Sequence, residues 1–183
     1  MKLLPIALSM ILLSGVVLAD VPDWVRPGIS ATYRMISGGW INGGPTENGG
    51  AEVYITNQVD EVTAEGTVGT ASIYNPHTGQ TQTQQITCLD GGPACLGRFW
   101  LDPKDPAGSF KDETGVTYSL LGRMPYSSMS RTWNAATMVY KNPGSGVTYT
   151  VIYDTQSGLV LAYSHEYPSE KIYLTLQSTN AEI

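Results

Sequence analysis

The chain has 183 residues, enough for one domain with a substantial core, and its formal net charge is −6. That balance excludes electrostatic attraction to nucleic acid or to an anionic membrane surface. Charged residues are only 14% of the chain, below the usual ~25%. Four Trp, eleven Tyr and many β-branched side chains exclude a disordered chain, because they can bury enough apolar surface to offset the ordering entropy.

Met1-Lys2 precedes an apolar run from Leu3 to Leu18, broken by Pro5, Ser9, Ser14 and Gly15. A cation followed by such a run, ending in Val17-Leu18-Ala19 with small residues at the first and third places, predicts a signal peptide cleaved before Asp20. The expected products are residues 1–19 as leader and 20–183 as a single antiparallel β domain. An uncleaved membrane anchor is the competing reading, since a spanning helix needs roughly 17–25 apolar residues. Pro5, Gly15 and the single preceding charge stand against it. No cysteine follows Ala19, which argues against a lipid-modified N-terminus. Loss of Lys2 leaves nine cations against sixteen acids, so the mature net charge is 9 − 16 = −7. An exported product, whether periplasmic, surface-bound or secreted, is the expected localisation, and no transmembrane segment is expected in the mature chain.

Beyond the leader, Val21 to Gly28 reads as an extended, proline-pinned lead-in with Trp24 against the core. Alternating strand-like and turn-like segments then follow, with little helical periodicity. Strands are expected near Ile29 to Ile36, Ala51 to Asn57, Gly66 to Tyr74, Thr81 to Cys88 and Gly97 to Leu101. Five more are expected near Gly115 to Leu121, Thr132 to Tyr140, Val147 to Tyr153, Leu159 to His165 and Lys171 to Leu176. The one helical candidate is Pro125 to Ser130.

Asn142 to Gly146, Asp154 to Gly158 and Pro168 to Glu170 carry turn chemistry, so the last fifty residues read as a four-stranded meander. In the second of these turns, an opening Asp and a closing Gly fit a type I turn with a left-handed last residue. Ile73-Tyr74-Asn75-Pro76-His77-Thr78-Gly79 resembles Ile152-Tyr153-Asp154-Thr155-Gln156-Ser157-Gly158, through either a duplicated half or convergent hairpin chemistry. Leu159, Leu161, Tyr163, His165 and Tyr167 fall on one face of their strand, and Val160, Ala162, Ser164 and Glu166 on the other. Each late strand is thus expected to be packed on one side and wet on the other. With about ten strands and no strong helix to cover them, the sheet must cover itself. The expected fold is all-β, an antiparallel meander forming a sandwich or a curved, partly closed barrel.

Cys88 and Cys95 flank Asp90-Gly91-Gly92-Pro93 and read, in an exported chain, as a disulfide at a hairpin tip. So short a loop contributes roughly 2–3 kcal/mol at most. A zinc half-site lacks His partners at suitable spacing, and a redox pair has a different spacing.

Two longer irregular segments are the natural places for function. Ser37 to Gly50 holds six glycines around Trp40 but has no Lys after them and leads into a strand, so it does not fit a phosphate cradle. Asp102 to Glu113 contains Asp102, Asp105, Asp112 and Glu113, a weak calcium candidate whose spacing does not fit an EF-hand; a solvated loop is the simpler reading.

No catalytic constellation emerges. Gly-x-Ser-x-Gly is absent, and the histidines are His77, in a turn, and His165, whose neighbour Glu166 points to the opposite face of the strand. Sixteen acids offer many pairs for carboxylate-based hydrolysis without selecting one. Neither a resident metal nor a cofactor is expected.

Serial hairpins after a leader resemble, in outline, exported lipid-carrier domains with a curved antiparallel sheet. Those line their cavity with helices, which this chain scarcely offers, so the likeness is one of architecture and carries no residue across. The expected function is a non-catalytic binding module with an unknown protein or an apolar small molecule as partner, with Trp40, Trp100, Tyr163 and His165 as contact candidates. A carrier of a lipid or other apolar molecule, lined by Leu161, Tyr163, Ile172 and Leu174, is the first alternative, and a carboxylate hydrolase the second.

Overall fold

The computed structural model describes residues 21–38, 40–41, 44–45, 51–63, 66–89, 99–101, 109–111, 117–141, 146–167 and 170–183. The leader, residues 1–19, therefore lies outside the described residues.

The described elements are all strands: β1 (Ser30–Gly38), β2 (Trp40–Ile41), β3 (Gly44–Pro45), β4 (Ala51–Thr63), β5 (Gly66–Asn75), β6 (Gln80–Leu89), β7 (Ser109–Lys111), β8 (Thr117–Ser128), β9 (Arg131–Lys141), β10 (Thr148–Asp154), β11 (Val160–Glu166) and β12 (Lys171–Thr179). Ten of them form one antiparallel sheet in the order β6-β5-β4-β1-β12-β11-β10-β9-β8-β7, while β2 and β3 make a separate small hairpin. The four last strands, β9 to β12, are sequential neighbours, as the turn chemistry requires. Within Gly97 to Leu101, the described residues contribute only a bridge, between Trp100 and Leu159.

Among the described residues no second large sheet packs on the first, and β6 and β7 are its two separate edges. The expected self-covering takes the form of curvature. Four strand spacings separate β12 from β8, about 19 Å if the sheet were flat. Yet the Tyr126 and Tyr173 hydroxyls lie 3.4 Å apart. Register places both on one face, with Trp133 opposite Tyr126 and Ser164 opposite Tyr173. The sheet therefore curls toward that face from β8 to β12. Arg131 closes the same side by donating to the Ile183 carbonyl at 2.8 Å while its guanidinium lies 4.0 Å from the Trp133 ring centre.

Curling changes which side chains are hidden. The separation of β11 into a packed face and a wet one does not hold: Val160, Ala162 and Ser164 are buried along with Leu161 and Tyr163. A register shift between Ile152 and Tyr153 sets Tyr153 opposite Val160, so the alternation is interrupted at that bulge. In one cluster Tyr33, Leu161 and Leu176 gather with Phe99, Trp100 and Trp133; in the other, Leu101, Met138, Val151 and Tyr163 gather with Tyr118.

The Pro125 to Ser130 helix is absent. Proline and the following polar residues instead continue β8, and Met129 and Ser130, at φ 55° and 58°, make a two-residue turn into β9. Both central residues at positive φ define the hairpin turn whose twist suits antiparallel strands. Neither residue is one of the Asn and Gly that announce such a turn, so the local sequence does not declare it.

The Asp154 turn forms as expected. Gly158 N–H donates to the Asp154 carbonyl at 2.8 Å, Asp154 Oδ2 accepts from the Ser157 N–H at 2.8 Å, and Gly158 has φ 77°. The matching turn after Asn75 repeats the device: its Oδ1 accepts from His77 N–H at 2.9 Å, and Gly79, at φ 68°, donates to the Asn75 carbonyl at 2.9 Å. The first turn also anchors two other parts of the chain. Trp24 Nε1 donates to the Ser157 carbonyl at 2.7 Å, and Leu101 N–H donates to the Gly158 carbonyl at 2.8 Å.

Candidate binding surface

Side chains directly opposite each other in an antiparallel pair share a face and touch. Tyr140 and Tyr149 flank the β9–β10 connection at equal distance from its centre, and they pair in register. Tyr149 in turn faces His165 on β11, which faces Ile172 on β12. Tyr118, on β8, extends the row on the other side. Ring centroids lie 5.8 Å apart for Tyr118–Tyr140, 5.9 Å for Tyr140–Tyr149 and 4.5 Å for Tyr149–His165. The second contact is stacked and the third is edge-on, both favourable aromatic geometries.

Four strands thus align four rings, and β11 with the residue that follows it adds two more beside the last. Tyr163, two residues before His165 and on its face, holds its ring 4.8 Å away and bonds through its hydroxyl to His165 Nε2. Tyr167, two residues after, lies 6.3 Å away. The row grades from inside to outside: Tyr118 is 1% exposed, Tyr140, Tyr149 and His165 are half-buried, and Tyr167 is 42% exposed.

Burial lowers the His165 pKa below the ordinary histidine value. A neutral ring suits this environment: with its proton on Nδ1, Nε2 accepts the Tyr163 phenol. The result is an apolar, uncharged strip with a few polar atoms, suited to flat contact with an aromatic or aliphatic partner surface. It contains no nucleophile–base–orienter arrangement.

The other sequence-derived candidates separate. Trp100 is 2% exposed, its ring edge-on to Phe99 at 5.4 Å, so it is a core anchor with no surface left for a partner. The backbone of Trp40 pairs with Pro45 in the β2–β3 hairpin, while its side chain lies outside the described residues. Cys88 pairs in register with Thr67 near the end of β6; its side chain and Cys95 lie outside the described residues, as do Asp102, Asp105, Asp112 and Glu113. Of the carrier lining, Leu161 is fully buried and Tyr163 is 9% exposed, both already packed against protein, whereas Ile172 and Leu174 are half-buried.

Several carboxylates have local structural partners. Glu52 takes two bonds from Arg34, at 3.0 and 3.1 Å, and one from the Tyr54 hydroxyl at 3.0 Å. Those bonds, Arg34 first and Tyr54 second, hold its pKa below the usual carboxylate value. Asp60 is bound by Gln58 at 3.0 Å and by Thr70 at 2.5 Å, and Glu166 pairs with Lys171. Among the described residues no three His, Cys, Asp or Glu side chains are grouped to hold a metal ion. An open recess of about 240 Å³ lies beside Arg123, Met124, Pro125, Asn134, Ala135 and Thr155.

Sequence reasoning singled out Tyr163 and His165 but not Tyr118, Tyr140 or Tyr149. Those three join the row only through pairing across strands. The available signal was the symmetric placement of Tyr140 and Tyr149 about the Asn142 to Gly146 turn.

The fold defines an all-β domain built on one open, curled antiparallel sheet. No known protein family matches the chain, and no curated protein matches it in sequence. Among solved structures it is similar to the hypothetical protein CT021 from Chlamydia trachomatis, at 11% identity and a TM-score of 0.42, over 86% of this chain and 88% of that one. The likeness carries no residue across.

Proposed function

We propose that the protein is an exported, non-catalytic binding module whose contact surface is the row of rings from Tyr140 through Tyr149 and His165 to Tyr167. The observation that carries this reading is the partial exposure of an aligned aromatic strip spanning three strands. Aromatic side chains are enriched where surfaces associate, because they bury much area for little rotamer entropy. Export rests on the leader of residues 1–19, and with it comes a Cys88–Cys95 disulfide as the oxidised form outside the cytoplasm. The partner is a protein surface or an apolar small molecule. The protein-partner form is favoured over an internal carrier, because Leu161 and Tyr163 are already enclosed by the chain's own side chains. A carboxylate hydrolase finds little support in acids tied up as Glu52, Asp60 and Glu166 are.

Copurification from the native extract tests the proposal. Tyr149→Ala and Tyr167→Ala should each weaken the recovered association about tenfold or more, as truncation of an aromatic hot spot does. Retention of every association by both variants, and by Trp40→Ala, would contradict it.

A further inference from the structure

The two edges of the sheet are built differently. On one, β7 pairs only with Thr117 to Ser119 of β8, and the remainder of β8 is interrupted by a register shift between Leu120 and Gly122 and carries Arg123 and Pro125. Charge, proline and a bulge are the features by which edges avoid pairing with another chain. On the other edge, β6 is ten residues long and reads Gln80-Thr81-Gln82-Thr83-Gln84-Gln85-Ile86-Thr87-Cys88-Leu89. It has no charge, no proline and no register shift against β5. Gln80 to Gln85 are all exposed.

We propose that β6 is a self-association edge, joining antiparallel to β6 of a second copy of this chain about a two-fold axis. The occupant follows from the side chains. Gln80, Gln82, Gln84 and Ile86 fall on one face, and Thr81, Thr83 and Gln85 on the other. Amides and hydroxyls each both donate and accept, so a strand of Gln and Thr is complementary to itself without a shift of register.

The local charge at the edge is compatible with this contact. Two mature copies, each of net charge 9 − 16 = −7, repel at long range, and an isologous contact sets like residues near one another, so an acidic or basic edge would add to that penalty. The uncharged β6 adds nothing to it. Nearby Asp60, two strands inward, is bound by Gln58 and Thr70. The row Thr32–Thr56–Ser72–Thr83 crosses four strands in register, with hydroxyl contacts of 2.9 Å between the first two and 3.1 Å between the last two. A second β6 would extend that hydroxyl row across the axis. Because β6 is remote in strand order from the aromatic row on β9 to β11, this contact is independent of the proposed binding surface.

Sedimentation velocity of the mature protein over a wide concentration range reads the outcome. A concentration-dependent dimer is expected, with backbone amides of Gln80 to Ile86 gaining hydrogen-exchange protection as the dimer fills. Gln82→Lys with Gln84→Lys puts like charges across the axis on one face and should raise the dimer dissociation constant about tenfold or more; Thr81→Lys tests the other face. Circular dichroism and melting temperature matching the parent exclude unfolding as the cause. A parent that stays monomeric throughout, or a dimer indifferent to both sets of lysines, overturns the proposal.

Discussion

His165 shows how one side chain takes its properties from three neighbours. Its ring lies edge-on to Tyr149 and Tyr163, with Tyr167 beyond, and desolvation depresses its pKa. In the unfolded chain the ring takes a proton near pH 6.5; in the folded chain it does so only at lower pH. Between those values the unfolded state binds more protons, so stability rises with pH. The contribution is complete above about pH 6.5 and declines as pH falls toward the folded value. His165→Phe should therefore flatten the fall in melting temperature between about pH 7 and pH 5. A slope equal to that of the parent would remove His165 as its source. Glu52 acts in a lower window: its depressed pKa gives stability present above its unfolded value and lost as pH falls through the folded one. Gly69 shows a steric requirement, since a Cβ there would lie 2.3 Å from the Gln58 carbonyl oxygen, beside the register shift at Val59 and Glu61.

At the level of elements, the β8–β9 hairpin carries strain that its sequence does not announce. Met129 and Ser130 both hold positive φ, at about 1–2 kcal/mol each for residues with a Cβ. Met129→Asn with Ser130→Gly supplies the preferred residues for that turn, and glycine returns part of the gain through unfolded-state entropy. The pair should stabilise the protein by about 1–2 kcal/mol, seen as a rise of roughly 2–8 °C in melting temperature. An unchanged or lower melting point would mean that the turn adopts another geometry. The hairpins after Asn75 and Asp154, by contrast, were legible, because an opening Asx and a closing glycine state the geometry locally.

Across the whole molecule, strand composition and turn spacing were enough to read an antiparallel sheet that must cover itself. They could not say how. Curvature is set by contacts between residues far apart in sequence, such as Tyr126 with Tyr173 and Arg131 with Ile183. The burial of Val160, Ala162 and Ser164 follows from that curl and from the β11 bulge, neither of which period-two alternation encodes. The aromatic row was half legible for the same reason: Tyr163 and His165 share a strand, while Tyr140 and Tyr149 meet His165 only through pairing. Trp100, a large aromatic beside loop-like sequence, lies in the core, a placement that local sequence does not state. These elements converge on a curled sheet that leaves an uncharged strip of rings partly exposed, the surface proposed to meet an outside partner. Hydrogen–deuterium exchange on the protein alone and in complex with its copurified partner tests that most directly. The account predicts new protection at Tyr140, Tyr149 and His165 to Tyr167; protection confined to other strands, with those residues unchanged, would contradict it.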